Sequence, residues 1–143
     1  MYEVGCAGLI EESEPLEGGR YNIGVRVTTR FRILEEHEGE PYRLATVDPR
    51  ADVAGDGAAL DEMRRRVLAA IGKTLDGRAS LVLQEELPHD LFVNALCQTL
   101  TLSPVERQSL LDCDTILGRY ARLIEIMDFM LLERTHGRGK IVH

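Results

Sequence analysis

The stretch that decides the fold of this chain reads Gly19-Arg20-Tyr21-Asn22-Ile23-Gly24-Val25-Arg26-Val27-Thr28-Thr29-Arg30-Phe31-Arg32-Ile33-Leu34-Glu35-Glu36. Apolar residues occupy every second position from 21 to 27, with polar residues or glycine between them. This two-residue period is typical of a β-strand with one apolar face. The preceding residues, 14–19, include Pro15 and two glycines and predict a turn. We therefore predict a β-hairpin whose apolar face belongs to the core.

Other short strands are predicted around this one. Residues 2–10 carry apolar or small side chains in both alternate sets, which indicates a strand buried on both faces. Residues 31–34 predict another strand, and residues 42–47 predict a last one after an acidic loop over residues 35–40. Together with residues 21–27 these segments predict four strands, arranged as an antiparallel meander or a partial barrel.

The pattern becomes helical after a polar connector over residues 49–57. An apolar stripe from Leu60 to Leu75 predicts a first helix that ends at Gly77, because glycine readily adopts the left-handed exit conformation. A second helix is predicted to begin near Pro88. Its apolar stripe consists of Leu91, Phe92, Ala95, Leu96 and Leu100.

Two later helices have their own start signals. Ser103-Pro104-Val105-Glu106 combines an N-cap serine, a proline at the first helical position and a glutamate three residues after the cap, which predicts a capping box and a short helix. Asp114 is the predicted cap of a last long helix that ends near Gly137, before a loose tail over residues 138–143.

The order of these elements predicts an α+β protein. An antiparallel, strand-rich N-terminal part over residues 1–50 precedes a C-terminal helical bundle over residues 51–143, and both are expected to belong to one domain.

Composition and charge exclude several classes of function. The net charge of -7 disfavours binding to phosphate backbones or anionic membranes. The chain has neither a secretory signal nor an apolar run of roughly 20 residues, so we expect a soluble, cytoplasmic protein. Cys6, Cys97 and Cys113 are too widely spaced for a zinc motif and are predicted to be buried thiols.

Three motifs that could suggest chemistry have simpler explanations. Gly72-Lys73-Thr74 resembles the end of a phosphate-binding loop, but Val67 stands where that motif needs glycine, and the segment lies near a helix end. His89-Asp90 is interpreted as the first turn of a helix rather than a catalytic pair. Arg64-Arg65-Arg66 is interpreted as a solvated helix face. The sequence thus predicts no catalytic residue, cofactor or metal site, and the chain is interpreted as a binding domain rather than an enzyme.

The stretch quoted above, with Pro41-Tyr42-Arg43-Leu44-Ala45 after it, closely resembles the N-terminal, substrate-binding domain of the Lon protease family. Residues 91–96, 106–112 and 119–132 look like the helical half of that domain. The resemblance implies a PUA-like strand-rich pseudobarrel joined to a helical bundle, in a stand-alone form. It also implies binding of unfolded or damaged polypeptide segments, with a possible accessory role in proteolysis.

Two departures from the family pattern matter. The usual opening region is absent, so either the sequence starts midway through the strand domain or the barrel is completed differently. A missing strand would leave an open edge that favours pairing with another copy of the chain. The chain also ends before the ATPase and serine-lysine protease modules of a full enzyme could begin. We therefore expect polypeptide binding without hydrolysis.

Candidate contacts for a polypeptide are Arg30, Phe31, Arg32 and Tyr42, because aromatic and arginine side chains are frequent anchors in binding sites. The simpler alternative for Phe31 is a place in the core. Two other functions stay open: an RNA-binding PUA-like module, which would need a concentrated basic stripe, and a small hydrolase with a dispersed site.

Overall fold

A computed structural model of the chain describes residues 2–39, 41–74 and 87–138. In these residues three β-strands precede four α-helices, so the prediction of an α+β fold is confirmed. The chain divides into two compact units, Met1–Ala51 and Asp52–His143. The elements are β1 (Val4–Leu16), β2 (Arg20–His37), β3 (Leu44–Arg50), α1 (Gly57–Thr74), α2 (His89–Thr99), α3 (Pro104–Leu111) and α4 (Ile116–Arg138).

The first unit is an antiparallel sheet with the strand order β1-β2-β3. The predicted division of residues 21–34 into two strands is wrong, because β2 is continuous. Thr28 is an extra residue in this strand: Ala7 pairs with Thr29 and Gly8 pairs with Val27. The Thr28 hydroxyl donates to the Ala7 carbonyl over 3.2 Å. A β-bulge of this kind lets a strand continue through a local change of twist.

The hairpin between β1 and β2 closes over Glu17, Gly18 and Gly19. Both glycines have positive φ angles, 77° and 71°, a conformation that glycine adopts without the steric cost of a Cβ atom. The turn is shorter than predicted, since Pro15 still belongs to β1, where it pairs with Tyr21.

The sheet buries few of its side chains. Among the described residues of this unit only Val4 and Arg30 are buried. The predictions that residues 2–10 have two buried faces and that residues 21–27 have a core face are therefore wrong. A sheet buries a face only where another layer packs against it, and within this unit there is only one layer of strands.

The helical unit has a continuous core centred on α4, which packs against the other three helices. The predicted apolar stripe of α1 is confirmed, with Leu75 and Gly77 outside the described residues. In α2 the stripe is corrected, because Leu91 is exposed and Val93 is buried instead. The largest fully buried side chains are Val67, Ile71, Phe92, Val93, Leu96, Tyr120, Leu123 and Met127.

Side-chain caps define the starts of three helices. At α3 the predicted capping box is confirmed: the Glu106 amide donates to the Ser103 hydroxyl over 3.3 Å, and the Ser103 amide donates to the Glu106 carboxylate over 2.7 Å. At α1 the Asp56 carboxylate accepts from the Ala59 amide over 3.0 Å.

The cap of α4 differs from the prediction. Thr115, rather than Asp114, accepts from the Gly118 amide over 2.9 Å. A Cβ atom at Gly118 would lie only 2.9 Å from the Thr115 hydroxyl, so glycine leaves room for this cap. The helix continues through Arg138 rather than ending at Gly137, and the predicted tail beyond it lies outside the described residues.

A buried arginine holds the helical unit together. Arg119 on α4 binds both oxygens of Asp52, with N···O distances of 3.0 and 2.7 Å, and also donates to the Asn94 amide oxygen on α2 over 2.8 Å. It donates further to the carbonyl oxygens of Leu110 and Cys113 at the end of α3. One guanidinium group thus joins α2, α3 and α4 to the segment that precedes α1.

The charge of the buried Arg119 guanidinium is balanced by its carboxylate partner. Burial by itself favours the neutral form, but the hydrogen bonds and negative charge of Asp52 outweigh this effect and raise the pKa of Arg119 above its ordinary value. Arg119 is only 5% exposed, so without Asp52 its charge would lie in the protein interior without a carboxylate.

We expect Asp52→Ala to lower the free energy of unfolding by about 3 kcal/mol, the lower end of the cost of removing one partner of a buried ion pair, because Arg119 is buried but Asp52 is partly exposed. Urea denaturation measures this change. The matched control is Glu125→Ala, because the ion pair of Glu125 with Arg122 is exposed and should contribute about 1 kcal/mol or less. Equal effects of the two substitutions would contradict the assigned role of Arg119.

Candidate functional site

The half of the β1–β2 hairpin that is nearer to its turn has one apolar face. Residues directly opposite each other in a β-ladder share a face, and successive residues alternate between faces. Ile10 pairs with Val25 and Gly8 pairs with Val27, so these residues lie on the same side of the hairpin. We define the apolar hairpin face as Ile10, Tyr21, Ile23, Val25 and Val27.

Every side chain of this face is open to solvent. Ile10 and Tyr21 are 64% and 62% exposed, and the other three residues are between 47% and 61% exposed. Four of these residues lie at every second position along β2, and Ile10 on β1 pairs with Val25, so the five form one patch. The largest apolar patch of a typical monomer covers on the order of 300–600 Å² and often has a function. The apolar hairpin face is therefore a candidate binding surface.

The opposite side of the hairpin carries its charges. Glu12 pairs with Gly24, Glu14 pairs with Asn22, and Arg26 forms an ion pair with Glu11. We define the polar hairpin face as Glu12, Glu14, Arg20, Asn22 and Arg26, which lie on this side together with the exposed Leu9 and Leu16. No charged residue alternates into the apolar hairpin face, so the hairpin separates apolar contacts from charge.

Close packing keeps the apolar hairpin face continuous at Gly8. A Cβ atom at this glycine would lie 2.5 Å from a methyl group of Val25 and 2.8 Å from the Arg26 carbonyl oxygen. Both distances are too short for real contacts, so only glycine fits there without displacing Val25. Gly8 thus lets β1 and β2 approach closely beneath the exposed side chains.

The four residues predicted to contact a polypeptide lie in different environments. Arg30 is only 7% exposed. Phe31 is half-buried against Gly5, where a Cβ atom would lie 3.0 Å from the ring, and it pairs with Pro49 on the other side. Arg32 forms a partly exposed ion pair with Glu3 at 2.9 Å. Tyr42 is 62% exposed in the connection to β3.

These four residues do not form one cluster. Arg30, Phe31 and Arg32 follow one another in β2, but Tyr42 precedes Leu44, which pairs with His37 at the far end of the ladder. Pro49, the partner of Phe31, is five positions along β3 from Leu44, or roughly 17 Å of strand. Their role in binding stays a prediction.

In the helical unit His89 of the His89-Asp90 motif contacts side chains of two other helices. The prediction that His89-Asp90 opens a helix is confirmed, since α2 begins at His89 with Asp90 in its first turn, and the cap Pro88 forms no side-chain hydrogen bond. The His89 ring lies 3.3 Å from Asp61 on α1 and 3.2 Å from the Tyr120 hydroxyl on α4. His89 thereby links three helices.

Arg64 also departs from its predicted solvated position. Its guanidinium lies 4.1 Å from the centre of the Phe92 ring and donates to the Leu87 carbonyl over 2.7 Å. Arg65 and Arg66 are exposed as predicted. The arginine triplet is therefore split between a packing role and the surface, and does not act as one patch.

The thiols are less buried than predicted. Cys6 is exposed, and Cys97 and Cys113 are partly buried. Among residues 2–39, 41–74 and 87–138, no three histidine, cysteine or carboxylate side chains come close enough to hold a metal ion. No helix in this part of the chain is both long and apolar enough to cross a bilayer.

Fold and surface together define an α+β protein that presents an apolar hairpin face. A sequence profile of the ATP-dependent protease La (LON) substrate-binding domain matches residues 1–128. The chain therefore belongs to this family, as the sequence resemblance predicts. Among curated protein sequences, none matches the chain.

Two solved structures have a similar fold. The N-terminal domain of Lon protease from the Mycobacterium avium complex has a TM-score of 0.69 at 16% identity, with 89% of this chain and 70% of that chain covered. The Lon N-terminal domain protein from Xanthomonas campestris has a TM-score of 0.52 at 21% identity, with 90% and 68% covered. The architecture is that of Lon N-terminal domains.

Alkaline pH should destabilise the helical unit. Burial raises the pKa of the Cys97 thiol from its ordinary value of 9.0 to about 11, and that of the Tyr120 hydroxyl from 10.0 to about 12. Both groups therefore keep their protons longer in the folded state than in the unfolded state. Their contribution to stability is complete below pH 9 and is lost as pH rises through the folded pKa values.

We expect the free energy of unfolding, measured with urea, to fall between pH 9 and pH 12. Cys97→Ala should remove the part of this slope that begins near pH 9, and Tyr120→Phe the part that begins near pH 10. Cys6→Ala, which removes an exposed thiol, is the control and should leave the slope unchanged. A slope that both variants retain would refute this assignment.

Proposed function

We propose that this chain is a non-catalytic domain that binds unfolded polypeptide segments. The observation that carries the proposal is the apolar hairpin face, five exposed side chains on one side of a hairpin in a chain of the LON substrate-binding family. The name of that family supports polypeptides as the class of ligand.

The shape of the surface favours a polypeptide over other ligands. Apolar side chains at every second position of β2 present a flat row rather than an enclosed cavity. A polypeptide in extended conformation offers its own side chains at the same two-residue period, and backbone pairing with a sheet can add affinity. Unfolded proteins expose apolar segments, which folded proteins bury.

Charge disfavours nucleic acid as the ligand. The chain has a net charge of -7, and on the polar hairpin face Glu12 and Glu14 offset Arg20 and Arg26. Nucleic-acid binding depends on a concentration of cations that neutralise phosphates, which this surface does not supply.

The predicted contacts Phe31, Arg32 and Tyr42 give a second possible location for the ligand. Tyr42 is the most exposed of them, and Phe31 offers part of its ring beside Gly5. Arg30 would have to move before a ligand could reach it, because its side chain is buried. Substitutions in the two locations distinguish them.

In this proposal the chain binds its ligand without hydrolysing it and acts as an accessory in protein quality control. Self-association through an open strand edge, which the sequence resemblance suggests, is a competing use of such an edge. Light scattering from the purified chain would report its assembly state beside each binding measurement.

We expect a fluorescently labelled, reduced and alkylated protein that cannot refold to bind the chain saturably in a fluorescence anisotropy titration. The triple variant Tyr21→Thr, Ile23→Thr, Val25→Thr should weaken binding at least about tenfold, because it removes most of the exposed apolar area. Threonine is favourable in strands, so the hairpin should persist.

The matched control is Leu9→Thr, which removes an exposed apolar side chain from the opposite side of the same hairpin and should leave binding unchanged. If Tyr42→Ala weakens binding while the triple variant does not, the ligand lies at the second location. Absence of binding by a folded, unsubstituted chain would refute the proposed function.

A further inference from the structure

Residues 8–14 of β1 lie at an edge of the sheet. In the described part of the chain, residues 8–14 of β1 pair only with β2, which lies on one side of them. Their other side therefore presents backbone groups to a further strand. Pro15 sets the outer limit of this edge, since proline has no amide hydrogen to donate.

The side chains along this edge differ sharply between the two faces. On the apolar hairpin face β1 contributes Gly8, Ile10 and Ser13, none of which is charged. On the side of the polar hairpin face it contributes Leu9, Glu12 and Glu14. Within the described residues neither of these carboxylates forms an ion pair, whereas Glu11 is paired with Arg26.

A strand added at this edge would place its side chains alternately on the two faces. One set would extend the apolar hairpin face beside Ile10, and the other set would lie beside Glu12 and Glu14. Apolar residues suit the first set, and cations suit the second, because opposite charges on neighbouring strands stabilise a sheet and like charges destabilise it.

On the basis of the proposed function, we infer that the chain preferentially binds polypeptide segments in which apolar and basic residues alternate. Such a segment would bind as an added strand beside residues 8–14 of β1. The ligand is thus defined by its pattern as well as its composition. A basic segment without alternation would place cations over the apolar hairpin face, and an acidic segment would be repelled by Glu12 and Glu14.

A second copy of this chain fits the same edge less well. Antiparallel pairing of β1 with β1 of another copy, centred on residue 13, would place Glu12 opposite Glu14 of the partner strand and bring their carboxylates close together. The repulsion disfavours self-pairing here and leaves the edge available for a basic segment.

Three fluorescein-labelled peptides of equal length test the inference by anisotropy. The first alternates valine or isoleucine with lysine, the second alternates the same apolar residues with glutamate, and the third has the composition of the first with its lysines grouped in one block. We expect the alternating lysine peptide to bind more tightly than either of the others.

The double variant Glu12→Gln, Glu14→Gln should weaken binding of the alternating lysine peptide roughly two- to thirtyfold, as expected for the loss of two cross-strand charge pairs. Glu35→Gln, Glu36→Gln removes the same charge from β2, away from this edge, and is the matched control. It should leave this affinity unchanged.

Other outcomes separate this inference from the proposed function. Equal binding of the alternating and blocked lysine peptides, or equal effects of the two double variants, would show general charge attraction and overturn the inference. Tighter binding of the acidic peptide, or dimerisation that occupies the edge, would also overturn it. If none of the peptides binds, the inference fails, and the titration with unfolded protein decides separately whether the proposed function stands.

Discussion

The two-residue alternation of β2 is the constraint on which the first unit depends. Between Arg20 and Val27 each apolar side chain is followed by a polar residue or glycine, so one side of the hairpin receives the apolar groups and the other receives the charges. Register with β1 extends this separation across both strands, because Ile10 faces Val25 and Glu12 faces Gly24. A shift of one residue would mix the two sets, so the surface depends on register as much as on composition.

The helical unit satisfies a different constraint. It has a packed apolar core, and its most buried charge, Arg119, is held by Asp52 and Asn94. Because that guanidinium binds groups from several segments at once, small displacements of α2 or α3 would break hydrogen bonds at a buried charge. Burial therefore stabilises the helical unit, whereas most side chains of the sheet stay exposed.

Local chemistry explains which features the sequence predicts correctly. The capping box of α3 depends on residues within one helical turn, and Ser103 and Glu106 are sufficient to define it. The bulge at Thr28 and the exposure of Tyr21 depend instead on what pairs or packs with β2. Alternation reports which residues share a face, but it does not report whether another layer covers that face. Family membership could be predicted from residues 19–36, whereas the position of a binding surface could not.

An exposed apolar strand face usually favours aggregation, and the hairpin has features that oppose it. Glu12 and Glu14 lie on the edge strand, Pro15 removes an amide donor, and bulges at Thr28 and Glu11 interrupt the regular ladder. Charge, proline and bulges are the means by which natural edge strands avoid pairing with copies of themselves. These features do not exclude every partner, because a basic side chain is attracted to the carboxylates of Glu12 and Glu14 and can approach the same edge. The residues that protect the hairpin from itself therefore also restrict which polypeptides can pair with it.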